Sequence, residues 1–249
     1  MTEPVTISFV VPAYNEEKHL ARTIAAIIDE IKRAGCTAEV IVVNNASTDG
    51  TGQLAASFPK VIVVDEPEKG LVQARRAGFL RASGELIANV DADTIVTEGW
   101  LSRVLQEFRR NPRLVGLSGP YIYYDVSRSV RAAVRAFYVM GYGFYALNRF
   151  VLRAGSMLQG GNFVVRRTAL EQIGGYNPNF SFYGEDTDLA CRLHAVGAVK
   201  FTFRLPALSS GRRLLEEGLF KIGVRYSMNF VWATFMHRPF TDEWIDIRH

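Results

Sequence analysis

Four short runs in the first half of the chain, TISFVVP, AEVIVVN, KVIVVD and ELIANVD, are apolar almost throughout and rich in β-branched residues. A strand with one solvated face alternates apolar and polar residues. A strand apolar on both sides is covered on both sides, as in a parallel sheet packed between helices. The gaps between the runs fit that arrangement. Glu16 to Ala34 sets Leu20, Ile24, Ile27, Ile28 and Ile31 on one helical stripe, and Gly50 to Phe58 and Gly70 to Ala82 fill the next two gaps. Strand and helix alternating in this way predict right-handed crossovers and a Rossmann-like, doubly wound α/β sheet, mostly parallel and flanked by helices. Ligands of such sheets bind beyond the carboxyl ends of the strands. Those ends read PAYNE, NNASTDGT, DEPEKG and DADT, all polar or turn-forming.

Further along, Trp100 to Arg110 reads as a helix and Leu114 to Ser118 as a strand. Ser129 to Arg153 reads as a long helix with apolar Val130, Val134, Phe137, Tyr138 and Tyr145. LQGGNFVVRR contains a strand introduced by a glycine turn, Glu185 to Val196 is a helix, and the chain from Arg212 onward is a helical C-terminal extension. There is no internal repeat, low-complexity stretch or linker, so residues 1–249 are read as a single domain.

A hydrophobic fraction of 48% and a charged fraction of 22% suit an ordinary globular core and argue against disorder. The net charge is only +4, from 29 basic and 25 acidic residues, so composition gives no case for nucleic acid. Cys36 and Cys191 lie far apart and form no short-spaced metal pair, which reads as reduced thiols in a cytoplasmic protein. The start, MTEPVTISFVVPAYNEE, lacks the basic head, apolar run and cleavage site of a secretory signal. The uncharged run AFYVMGYGFYALN falls short of the roughly 20 residues that span a bilayer.

The apolar run ending at Val90 delivers two carboxylates, Asp91 and Asp93, side by side. Like charges held together call for a cation, and an Asp-x-Asp pair suits a hard divalent ion such as Mn2+ or Mg2+. The same residues also suit a solvated loop or a helix cap, and the pair alone does not choose between these.

The context is more specific. SFVVPAYNEEKHL, VIVVNNASTDGT, KGLVQARRAGFLRASGELIANVDADT and GGNFVVRRTALEQIGGYNPNF followed by YGEDTDLACRL, in this order, resemble the family 2 glycosyltransferases of GT-A fold over about Ile7 to Gly197. The resemblance implies an inverting transferase using a nucleotide diphosphate sugar, with UDP the first expectation and GDP or dTDP behind it. On that pattern residues about 1–119 form the nucleotide-sugar half, about 120–210 the acceptor half and about 211–249 the helical extension. Pro12, Ala13, Tyr14 and Glu16 would lie against the nucleotide. Asn45 would take the position of the second carboxylate of an Asp-Asp pair that accepts from the base; the pair here is Asn44-Asn45, a departure from the family. Gly70 and Arg75 match a segment that approaches the donor, where an arginine suits a diphosphate. Asp91, with Ala92, would lie on the ribose or a metal-bound water, and Asp93 would ligate Mn2+ or Mg2+.

In YGEDTDLACRL the resemblance makes Asp186 the general base that deprotonates the acceptor hydroxyl and Glu185 the residue that orients it, while a Glu-Asp pair opening a helix also favours the helix dipole. Asp188 belongs to that helix role. Gly160, Gly161 and Asn162 would line the sugar pocket, or form a plain turn. Arg212 and Arg213 would close over the diphosphate where many relatives place a metal-binding histidine; Ser209 and Ser210 stand there instead. No QxxRW motif follows, which points to transfer of one sugar at a time. The four histidines, His19, His194, His237 and His249, form no cluster.

Aromatic residues are dense from Tyr121 to Phe150, with Arg128, Arg131, Arg135, Arg149 and Arg153 around them. Core packing is the first reading, a homodimer contact the second, and peripheral contact with the inner face of the cell membrane the third. The acceptor is read as a glycan or a lipid-linked molecule. A polyprenyl-phosphate sugar synthase and a non-catalytic nucleotide-sugar-binding protein are the competing readings. Intact Asp91, Asp93 and Asp186 oppose the latter.

Overall fold

The computed structural model describes residues 4–147, 157–236 and 238–241. The chain runs β1 (Ile7–Ala13), α1 (Leu20–Ala34), β2 (Ala38–Asn45), α2 (Thr51–Ala56), β3 (Val61–Glu66), α3 (Leu71–Arg81) and β4 (Leu86–Val90). It continues with β5 (Thr94–Val96), α4 (Trp100–Arg110), β6 (Leu114–Ser118), β7 (Tyr121–Tyr123), α5 (Arg128–Leu147), β8 (Asn162–Arg166) and α6 (Arg167–Gln172). Last come α7 (Glu185–Val196), β9 (Ala198–Phe201), β10 (Ala207–Ser209), α8 (Arg212–Glu217) and α9 (Leu219–Met236).

Seven strands form one sheet in the order β3-β2-β1-β4-β8-β6-β9. β8 is antiparallel to both neighbours, and the remaining pairs are parallel. Side chains of successive residues leave a strand on opposite faces, and the two cores follow that period. Phe9, Val11, Val40, Val42, Ala88 and Val164 pack with α1 and α4 on one face. Val10, Ile41, Val43, Ile87, Phe163 and Val165 pack with α3 and α7 on the other. The apolar stripe of α1 buries Leu20, Ile24 and Ile27, and the helix stops at Gly35, whose left-handed φ of 60° lets its N–H reach the Ile31 carbonyl.

α1 starts later than its pattern suggests. Glu16 lies before it and its carbonyl accepts from the N–H groups of His19 and Leu20. Of the long helix expected over Ser129 to Arg153, α5 accounts for the part to Leu147, and its far end, with Arg149 and Arg153, lies outside the described residues. Phe137, assigned to its apolar stripe, is exposed. Val134 packs with Leu214 of α8 and Ile222 of α9 in a third, small cluster.

A second sheet of three short strands, β5-β10-β7, sits beside the first. β10 runs antiparallel to β5, pairing Ser209 with Thr94, and parallel to β7. It carries the start of α8 next to the loop that follows β4. No disulfide joins Cys36 and Cys191. Among the described residues, no helix is long and apolar enough to cross a membrane.

Candidate active site

β1 has β2 on one side and β4 on the other, all three parallel, so the chain reverses its winding at β1. The connections leaving the carboxyl ends part there and open a crevice. Pro12, Ala13 and Tyr14 at the end of β1 share this cleft with Asn45 at the end of β2 and Gly70 before α3. Lys69, Leu71, Ala74 and Phe182 complete the wall. The Lys69 ammonium stands 3.9 Å from the centre of the Tyr14 ring, a cation–π contact.

The first carboxylate centre follows β4. Asp91 accepts from the Tyr121 hydroxyl at 3.2 Å through Oδ2 and from Arg75 Nη2 at 3.4 Å through Oδ1. Ala92 is buried, and its carbonyl takes a hydrogen bond from Thr23 Oγ1 at 2.8 Å. Asp93 accepts from Arg212 Nη2 at 3.1 Å, and the same nitrogen contacts the buried Glu16 carboxylate. The β5–β10 pairing explains that reach, because it delivers Arg212 three residues after Ser209. Gly161 closes the floor at a left-handed φ of 74°, and a Cβ there would fall 2.1 Å from Asp91 Cγ. Only glycine meets both demands.

The second centre opens α7. Gly184 turns the chain at φ 79°, after which Glu185 points inward to Arg75. Asp186 accepts from the Gly160 N–H at 2.9 Å and from the Thr187 N–H at 2.8 Å. Burial pushes the Glu185 carboxyl up to about 7, against the pull of Arg75. Burial also raises Asp186, while its Gly160 hydrogen bond holds it down. Arg75 has no exposed surface and contacts both Glu185 and Asp91, so one guanidinium ties the two centres into a single site.

Several of the expected site residues are engaged by partners within the protein. Arg75 is enclosed by carboxylates rather than open to a diphosphate, since a buried guanidinium requires charged partners. Asn45 spends its carboxamide on the backbone of the β3–α3 loop. Asn162 is buried: its Oδ1 accepts from Trp100 Nε1, and its Nδ2 donates to the Gly119 and Leu205 carbonyls. Its carboxamide braces the segments that carry Gly119 and Leu205. Arg213 parts from Arg212 and bonds Glu217 one turn along α8 at 2.8 Å, stacking on Phe182. Asp188 pairs with Arg192 within α7, in keeping with a helix role. Among the described residues no third His, Cys, Asp or Glu joins Asp91 and Asp93 as a metal ligand. Ser210, at the place of the missing histidine, donates to Asp125 at 2.6 Å. His237 and His249 lie outside the described residues.

Tyr121, Lys69 and Phe182 were not singled out from the sequence as site residues. Tyr121 donates to the Gly160 carbonyl at 2.7 Å as well as facing Asp91, and so joins the centres again. Its one sequence signal is a tyrosine following Gly-Pro at a strand end, which is weak.

A family profile described as Glycosyl transferase family 2 matches residues 8–174. The chain belongs to glycosyl transferase family 2. A second profile, described as the N-terminal domain of galactosyltransferase, matches residues 149–211. Among curated relatives, the probable glycosyltransferase YdaM of Bacillus subtilis is 25% identical over 79% of this chain and 48% of its own length. Dolichyl-phosphate beta-glucosyltransferase ALG5D of Trichomonas vaginalis is 29% identical over 57% of this chain and 47% of its own. The chain thus spans about half the length of these relatives. Of solved structures, the mannosyltransferase PcManGT of Pyrobaculum calidifontis, in complex with GDP-Man and Mn2+, superposes with a TM-score of 0.69 at 20% identity, over 95% of this chain and 65% of that one. TarS of S. aureus gives 0.64 at 15% identity, over 93% and 72%. The chain therefore has the GT-A fold.

Proposed function

We propose that this transferase moves a single sugar, with inversion, from a nucleoside diphosphate sugar to a hydroxyl of a cell-surface glycan or lipid-linked acceptor. The observation that carries the reading is Arg75, which holds Glu185 of the acceptor-side motif and Asp91 of the donor-side motif on one guanidinium. Asp186 takes the hydroxyl proton as the acceptor oxygen attacks the anomeric carbon and the nucleoside diphosphate departs from the opposite face. The two backbone N–H groups that bond Asp186 fix the carboxylate and leave lone pairs for that proton. Glu185 orients the acceptor: its Oε2 is buried without a hydrogen-bond partner. Pro12 to Tyr14, Lys69 and Gly70 hold the nucleotide.

Asp91 and Asp93 fit a divalent cation by the chemistry of their donors, two carboxylates on adjoining turns of chain. Their charge already draws Arg75 and Arg212, the same demand for positive charge that a cation meets. When bound, Mn2+ or Mg2+ offsets the charge of the leaving diphosphate. UDP is the first donor class to try, because relatives of this fold are solved with UDP, UDP-GlcNAc and GDP-Man.

Exposed apolar side chains favour a lipid-linked acceptor and contact with a bilayer surface. Among the described residues, and Leu80 apart, the large exposed apolar side chains lie at or beyond Ile122. Phe220, Val224, Val231 and Phe235 share one face of α9, and exposed Phe137, Val139 and Met140 lie on α5. α5 contains no carboxylate and begins with exposed Arg128, Arg131 and Arg135. Basic residues beside apolar surface suit anionic lipid.

A second reading, with a polyprenyl phosphate as acceptor, draws support from the dolichyl-phosphate glucosyltransferase among the relatives. The experiment that separates them is D186N assayed with both acceptor types. A hydroxyl acceptor needs the base and loses about 10²-fold or more in rate, with donor binding retained; an already ionised phosphate acceptor does not. Retained rate with a hydroxyl acceptor sinks the first reading.

A further inference from the structure

Asn45 is the last residue of β2 and is 4% exposed. It pairs with Glu66 at the end of β3, where the ladder between the two strands stops. Beyond that point its carboxamide takes over. Nδ2 donates to the carbonyls of Glu66 at 3.1 Å and Glu68 at 2.6 Å, and Oδ1 accepts from the Gly70 N–H at 2.8 Å. Two acceptors and one donor are met by one group that offers both kinds of hydrogen bond. A carboxylate offers acceptors only and would press its charge against two carbonyl oxygens. The preceding residue repeats the logic: Asn44 Nδ2 donates to Asp65 Oδ1 at 2.8 Å. Side-chain amides at positions 44 and 45 are thus matched to an acidic strand end and loop, Asp65, Glu66 and Glu68. That loop also carries Lys69, the cation over the Tyr14 ring.

We propose that Asn45 is a positioning residue: its amide clasps the Glu66–Gly70 loop and so builds the wall of the donor cleft, and the base is held by that wall and Tyr14 rather than by Asn45 itself. The inference rests on the nucleotide-sugar reading for its function, not for the clasp. It follows that N45D, which moves the pair towards the family's Asp-Asp pattern, damages the site. It also follows that the damage is equal for different bases.

In N45D the new carboxyl meets the Glu66 and Glu68 carbonyls and the Gly70 N–H, and Lys69 and Tyr14 are the titratable groups that line the same cleft. Protonated, it regains one donor and one acceptor and can close the clasp; ionised, it cannot. N45A lacks both at every pH. The experiment follows backbone amide exchange of residues 66–71 in the full chain of wild type, N45D and N45A at matched pH, together with UDP and GDP affinities by calorimetry. At about pH 8 the Gly70 amide is expected to exchange about tenfold faster in both variants than in wild type. Towards about pH 4, near the ordinary aspartate value, N45D recovers protection and N45A does not. UDP and GDP affinities fall by similar factors in N45D. Protection retained by N45D at the higher pH overturns the proposal, as does a loss confined to UDP. If wild type binds neither nucleotide while exchange behaves as expected, the clasp stands and the donor reading fails.

Discussion

The Arg75 guanidinium and the Glu185 carboxylate, 110 residues apart in the chain, form an ion pair in which the arginine has no solvent exposure. Removing one partner of a buried pair leaves the other charge unpaired in the interior, which costs about 3–5 kcal/mol. R75A is therefore expected to lose stability on that scale in urea titration. R75K keeps the charge but not the planar fork that reaches both Glu185 and Asp91. It should recover part of the stability and little of the activity.

As the proposed base, Asp186 must be ionised for transfer, and burial raises its carboxyl. Activity should fall as pH drops through that raised value, so the acidic limb of the pH–rate profile lies above the ordinary aspartate range of about 3.9. D186N should show no such limb.

Glu185 titrates with the opposite consequence for folding. Its carboxyl is raised to about 7 in the folded protein. Its stabilising contribution is complete below the unfolded value of about 4.3 and is lost as pH rises through the folded one. The stability of wild type relative to E185Q should decline across that window, read from thermal midpoints at each pH.

G161A puts a Cβ at a φ of 74°, 2.1 Å from Asp91 Cγ and 2.3 Å from the Tyr121 hydroxyl. Backbone strain alone costs about 1–3 kcal/mol, and Asp91 must shift. Both the thermal midpoint and Mn2+ affinity, measured calorimetrically with UDP, should fall. An unchanged metal affinity would separate Asp91 from the cation site.

Vesicle flotation tests the proposed lipid contact. Binding to vesicles containing anionic lipid should exceed binding to neutral ones, and R131E/R135E should abolish the difference. Equal recovery with both vesicle types would leave the apolar faces of α5 and α9 to another partner.

Much of the main sheet and its helices was legible because their signals are local. The four apolar strands, α4 and α7 follow from runs and stripes within a dozen residues, and Asp91 and Asp93 are two positions apart. What was hidden depends on distance or brevity. β5, β7 and β10 are three residues each, too short for a period to register, yet they bring Arg212 to Asp93. Arg75 meets Glu185 only after the fold forms, so its helix spacing could not reveal its partner. Asn162 stands beside a glycine pair that resembles a pocket rim, and only burial among three backbone carbonyls shows it to be a brace.

β8 fills the place between β4 and β6, with Val90 opposite Asn162 and Leu86 opposite Arg166. During synthesis β4 therefore waits as an open edge until Arg166 has emerged, which at ordinary elongation rates is about 4–15 s. For that interval the nascent chain presents an apolar, five-residue strand that any other unpaired strand can extend. The yield of active transferase should thus depend on translation speed between Val90 and Arg166 and on chaperone supply, quite apart from the stability of the finished fold.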